Sequence, residues 1–137
     1  MTPPPAAICP VVSRVDISWV CVATNDPHPL HLDHEIANKA GFKDVVVPAH
    51  LLIGWIGQYL EDWCGGPANL IKWRLRFSAP VWPGDEITLN GEVTDAIGAG
   101  STFTGTVTAS TREGKTVGIA TAEMRSVPGQ TDNRYSR

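Results

Sequence analysis

The hydrophobic pattern of this chain changes period once, near residue 66, and that change narrows the folds open to it. From Pro48 to Trp63 apolar residues recur at helical spacing. Leu51, Trp55, Tyr59 and Trp63 make one row, and Leu52, Ile56 and Leu60 make a second beside it. Polar residues such as Gln58, Glu61 and Asp62 are few, so the apolar face is wide enough to be wrapped by other structure. Pro48 needs no amide donor at a helix start, and Gly65, Gly66 and Pro67 end the helix. Gly54 and Gly57 each cost roughly 1 kcal/mol against alanine, and are expected to let a strand or ligand approach closely. Beyond Ile71 the period is two: Ile71, Trp73, Leu75 and Phe77 alternate with Lys72, Arg74, Arg76 and Ser78. A Pro83-Gly84-Asp85 turn follows. Three more alternating runs begin at Ile87, Ser101 and Thr116. Strands joined by turns with no helix between them make an antiparallel sheet. The fold class is therefore α+β, with a curved antiparallel sheet wrapped around one central helix at about residues 48–64.

A length of 137 residues suits one domain with a real core. Its ends, about 1–8 and 128–137, are expected to be loose. The net charge of −3, with no basic stripe, argues against nucleic acid as a partner. No apolar run approaches the ~20 residues of a membrane helix, and MTPPPAAICP has no basic start, so neither a span nor a signal peptide is expected. Cys9, Cys21 and Cys64 are scattered and odd in number, which fits a reducing, cytoplasmic setting.

Ser13 to Val22 supports two readings. Val15, Ile17, Trp19 and Cys21 alternate as in a strand, whereas Ser13 and Asp16 form a capping-box pair and Ile17, Val20, Cys21 and Thr24 keep helical spacing. The stretch Thr24–Ala49 then sets Asp26 five residues before His31, with Pro27 and Pro29 stiffening the link. His31–Ala40 reads as a short helix with Gly41 as its C-terminal cap. A carboxylate and an imidazole within reach of one water can take a proton and return it. The same two residues also suit capping and packing at a helix start. Asp26, His28, His31, Asp33, His34 and His50 could be imagined around a metal, but the prolines disrupt ligand spacing and none is expected.

Asp26, Pro29, His31, Asp33, Ala37, Gly41 and Phe42 resemble the signature of the MaoC-like hydratases, R-specific enoyl-CoA hydratases of hot-dog fold, and Val81–Asp85 resembles a turn between strands of that family. The similarity runs from about Ser13 to Val127. Three positions depart: Asn25 replaces a glycine, His28 an asparagine, and Pro48-Ala49 a His-Gly pair. The stretches ATNDPHPLHLDH and PAHLLIGWIGQYLEDWCGG look more like small subunits of actinobacterial acyl-CoA or steroid side-chain dehydratases.

The resemblance implies a helix before Asp26 and a hydratase or dehydratase acting on an enoyl thioester, carried by CoA or a carrier-protein pantetheine, with no other cofactor. It assigns the reacting water to Asp26 and His31. It gives the thioester oxygen the backbone N–H of Ala49, with that of His50, at the helix start. His28 would orient the loop, and Leu52, Trp55 or Ile56 would border the acyl slot. Lys72, Arg74 and Arg76 could meet the phosphates of the substrate, or form a solvated sheet face. Hot-dog chains pair, so a homodimer or a hetero-oligomer with a second such chain is expected. A non-catalytic acyl-binding subunit and, less closely, a thioesterase are the competing readings.

Overall fold

The computed structural model describes residues 2–97 and 102–126; the tail expected to fray over 128–137 lies outside the described residues. Ser13 opens the first helix, α1 (Arg14–Ala23). Its Oγ accepts from the Asp16 amide at 3.2 Å while the Asp16 carboxylate accepts from the Ser13 amide at 2.8 Å. That capping box decides the ambiguous segment in favour of helix. Ile17 and Cys21 turn into the core; Val15 and Trp19, the other half of the alternation, stay exposed, as does Val22.

The helix expected over His31–Ala40 is two pieces, α2 (Pro29–Leu32) and α3 (His34–Lys39). Asp33 divides them. Its backbone is extended, and its carboxylate accepts from the amides of Glu35 and Ile36 at 2.9 and 3.1 Å. A side chain that caps a new helix competes with continuation of the old one. Gly41, at φ +91°, closes α3 as expected: its amide donates to Asn38 and that of Phe42 to Ala37.

The long helix, α4 (Ala49–Cys64), follows Pro48 and ends at Gly65, whose φ is +79°. It buries Leu52, Ile56, Tyr59, Leu60, Trp63 and Cys64 and leaves His50, Ile53 and Gly54 exposed. A short 3-10 turn (Pro67–Asn69) leads into the sheet. Its strands are β1 (Ala7–Ile8), β2 (Leu70–Phe77), β3 (Ile87–Ile97), β4 (Thr102–Thr111) and β5 (Thr116–Arg125). All pairings are antiparallel, in the order β1-β3-β4-β5-β2. Helix α4 packs on one face, against Phe103, Val107, Ala120, Ala122 and Met124 among others. Among the described residues no helix is long and apolar enough to cross a membrane, and the three cysteines are free and buried.

Two expectations need correction. The N-terminal segment expected to be loose over about 1–8 is paired at its end: Ala7 and Ile8 pair with Leu89 and Thr88 as an edge strand. The close-approach glycines are not on the helix. A Cβ on Gly54 would meet nothing within 4 Å, and one on Gly57 would only touch Trp73 at 3.9 Å. The tight positions are on the strands, where a Cβ at Gly91 would lie 2.9 Å from the Tyr59 hydroxyl and one at Gly105 would lie 2.4 Å from the Trp63 ring. Tyr59 exploits that space: its hydroxyl donates to the Pro4 carbonyl at 2.8 Å and accepts from the Gly91 amide at 3.0 Å. Tyr59→Phe withdraws both partnerships while keeping the ring, and is expected to cost about 2 kcal/mol, read as a lower urea midpoint at unchanged m-value.

Candidate active site

Helix α1 ends in a way that aims the next residue. Asn25 has φ +52°, the one left-handed non-glycine among the described residues. Its amide donates to Val22, and the following amide, of Asp26, donates to Cys21 at 2.9 Å. Asparagine tolerates this conformation better than most side chains, which explains how it stands where the resembled pattern has glycine. Asp26 therefore leaves the helix in a fixed direction. Two residues on, His28 caps α2, its Nδ1 accepting from the Leu30 amide at 3.2 Å.

His31 is held from behind. Its Nδ1–H donates to the Val46 carbonyl at 2.6 Å. Val46 in turn donates its amide to Leu30 at 3.0 Å, and Val47 donates to Val81 at 2.9 Å. With the proton fixed on Nδ1, Nε2 is left to accept on the other side of the ring. Nε2 lies 4.0 Å from Asp26 Oδ2. That is too long for a direct hydrogen bond. A water about 2.8 Å from both atoms would donate to them at an angle of roughly 90°, near its own geometry.

One residue anchors the segment carrying Val46. Asp44 accepts from Arg14 at 2.7 and 2.9 Å, from its neighbour's amide, that of Val45, at 2.7 Å, and pairs with His34 at 3.2 Å. Burial opposes its ionisation, but the Val45 amide, Arg14 and His34 outweigh this and hold its carboxyl below the usual carboxylate range. A depressed carboxyl stabilises the fold above the unfolded-state value, about 3.9, and that contribution is lost as pH falls through the folded value. Asp44→Asn is thus expected to be less stable than the parent at pH 7. The gap should narrow below about pH 4, as compared by urea midpoints at the two pH values.

Asp26, His31 and His50 border a cavity of about 380 Å³. Its other walls are apolar: Phe42, Val46, Val47 and Pro48, then Leu52 and Trp55 of α4, and Phe77, Ala79, Pro80 and Val81. The start of α4 opens onto it. Leu51 donates its amide back to Pro48, whereas the amides of Ala49 and His50 have no protein acceptor among the described residues. Of the sequence-predicted residues, Asp26, His31, Ala49, His50, Leu52 and Trp55 come together here. Ile56 is fully buried in the core behind them. His28 faces His31 edge-on at 6.1 Å without lining the cavity. Lys72, Arg74 and Arg76 are exposed on edge strand β2, where Lys72 pairs with Glu123 at 2.9 Å. None of the three lines the cavity. Among the described residues no three His, Cys, Asp or Glu side chains group as a metal site. Sequence reasoning missed Phe42, Val46, Phe77 and Pro80. The VVVP run before α4 was the available signal for Val46, since a fully apolar segment is a buried one.

Comparison with known proteins gives the family and the fold. The MaoC like domain profile matches residues 6–115. The beta subunit of 3-oxo-4,17-pregnadiene-20-carboxyl-CoA hydratase from Mycobacterium tuberculosis is 34% identical over 73 residues, 53% of this chain and 57% of that protein. A mitochondrial 3-hydroxyacyl-[acyl-carrier-protein] dehydratase from Solanum lycopersicum is 39% identical over 53% of this chain and 43% of its own length. The chain thus matches about half the length of these curated relatives. Among solved structures, the ChsH1-ChsH2 complex from Mycobacterium tuberculosis aligns with a TM-score of 0.75 at 31% identity, covering 90% of this chain and 94% of that one. An (R)-hydratase from A. caviae aligns at 0.77 and 23% identity over 93% and 98%. The fold is the hot-dog fold the sequence led us to expect.

Proposed function

The chain belongs to the MaoC-like domain family, and from that premise we propose that it adds water reversibly across the C2=C3 bond of an enoyl thioester to give a (3R)-hydroxyacyl thioester. The observation that carries this reading is the pair Asp26 and His31, 4.0 Å apart in the lining of an otherwise apolar cavity, with His31 anchored through its other nitrogen. A water donating one hydrogen to Asp26 Oδ2 and the other to His31 Nε2 keeps its lone pairs for C3. As the C3–O bond forms, one O–H bond of water breaks, its proton passes to one of the two acceptors, and C2 takes up a proton from the pair. The atoms of one water are then all accounted for, and the pair returns to its starting state. Charge that builds on the thioester oxygen meets the amides of Ala49 and His50 at the start of α4. Leu52 and Trp55 bound the acyl group.

Part of the assembly is proposed to come from a second hot-dog chain. Strand β2 is the sheet's edge, and its cavity-lining residue Phe77 is 46% exposed. The similarity to the ChsH1-ChsH2 complex points the same way. The test is to offer crotonyl-CoA and a bulkier enoyl-CoA to the purified chain, alone and with a candidate partner chain. Loss of the absorbance of the conjugated enoyl thioester is expected. Release of free CoA would identify a thioesterase instead. No turnover with any enoyl-CoA, together with tight binding to a second chain, would identify a non-catalytic subunit.

A further inference from the structure

His50 is the one ionisable cavity-lining residue whose side chain the chemistry above does not use. Its Nδ1 is 3.9 Å from Asp26 Oδ2, the same oxygen that lies 4.0 Å from His31 Nε2. The two imidazoles thus approach the same carboxylate oxygen from different elements, α2 and α4. The two members of the proposed pair are held very unequally. His31 is 16% exposed and anchored on Val46, whereas Asp26 is 41% exposed and accepts no hydrogen bond from protein among the described residues. A carboxylate free to rotate spends much of its time aimed away from the water it should hold. A group that acts on one water needs support that fixes its rotamer.

Resting on the Asp26–His31 reading, we infer that the His50 side chain is the positioning residue for Asp26. An imidazole Nδ1–H donates to Oδ2, directly after a small rotation of these exposed side chains or through one water, and turns the other lone pair of that oxygen to the cavity. The residue also ties two parts of the site together. Its backbone amide faces the place of the thioester oxygen, and its side chain sets the carboxylate. The rigid first turn of α4, started by Pro48 at φ −57°, therefore fixes the distance from oxyanion to base.

The experiment compares His50→Leu, which removes the donor, with His50→Asn, whose amide nitrogen is as many bonds from the backbone as Nδ1. Steady-state kinetics on an enoyl-CoA should show kcat down about tenfold or more in His50→Leu with KM within about twofold, and recovery to within about threefold of the parent in His50→Asn. An unchanged kcat in His50→Leu, or a rise in KM alone, overturns the inference. A second readout needs no turnover: the carboxyl carbon resonance of Asp26, assigned by its loss in Asp26→Asn, should move in His50→Leu and return toward the parent position in His50→Asn. If it stays put in both, His50 does not position Asp26. A parent chain that is inactive both alone and with its partner chain, but whose Asp26 resonance still responds to His50, would refute the hydratase reading and leave the contact standing.

Discussion

Asp26→Asn and His31→Ala each lower kcat for an enoyl-CoA by about two to four orders of magnitude, and the double variant is little worse than either single one. The first substitution keeps the shape of the side chain and removes its ability to carry a proton. The second removes the acceptor nitrogen. If both groups hold the same water, losing one strands the other, so the losses cannot add. Neither change should unfold the protein. Asp26 is half-buried and makes no hydrogen bond through its side chain among the described residues; His31 gives up one bond, to Val46. That bond is worth about 1 kcal/mol, which His31→Gln would show separately by restoring a donor without restoring a base. Circular dichroism and the thermal midpoint are the controls. Singles that retain parental rates would remove the catalytic assignment, and a double variant that multiplies the single losses would show two independent roles in place of one shared water.

That such a test can be designed from the chain itself reflects how unevenly the sequence encodes the molecule. Features set by contiguous residues were readable. The wide apolar face of α4, the alternation of β4 and the glycine stop at Gly41 all follow from neighbours a few positions apart, and the structure has them where periodicity put them. Features set by competition between local options were not. Asp33 lies within a helical pattern that continues through it, yet its short carboxylate finds the amides of Glu35 and Ile36 and breaks the helix. Features set by distant residues left no local trace. Strand β1 is two residues long within a proline-rich stretch, and it exists because β3 offers an edge. In the site the same division holds. Asp26 and His31 are close in sequence and stood out. The bond from His31 to Val46 spans fifteen positions, and Phe77 joins the cavity from a strand that follows it by a whole helix.

The close packing of α4 against the sheet sets the second large effect. Gly105→Ala is expected to cost about 3 kcal/mol, lowering the melting temperature by roughly 10 °C. Its added methyl would lie 2.4 and 2.7 Å from Cη2 and Cζ3 of the Trp63 indole, and 3.0 Å from Met124 Cε. The methionine can swing aside. The indole cannot, because Trp63 is 3% exposed and packs edge-on to Tyr59 and against Phe103 at ring separations of 6.4 and 5.7 Å. Both clashing atoms belong to the benzo ring that phenylalanine lacks at the same reach. Trp63→Phe alone should therefore be destabilising, through the space it opens. It also removes a buried Nε1–H that has no acceptor among the described residues, which offsets part of that cost. Combined, the two substitutions should cost less than their sum by at least about 1 kcal/mol, since the new methyl fills what the smaller ring vacates. Strictly additive losses would mean that the strand moves away from the helix. The cavity would then register the shift, because Leu52 and Trp55 are carried on the same helix, and KM for the enoyl thioester would rise in Gly105→Ala.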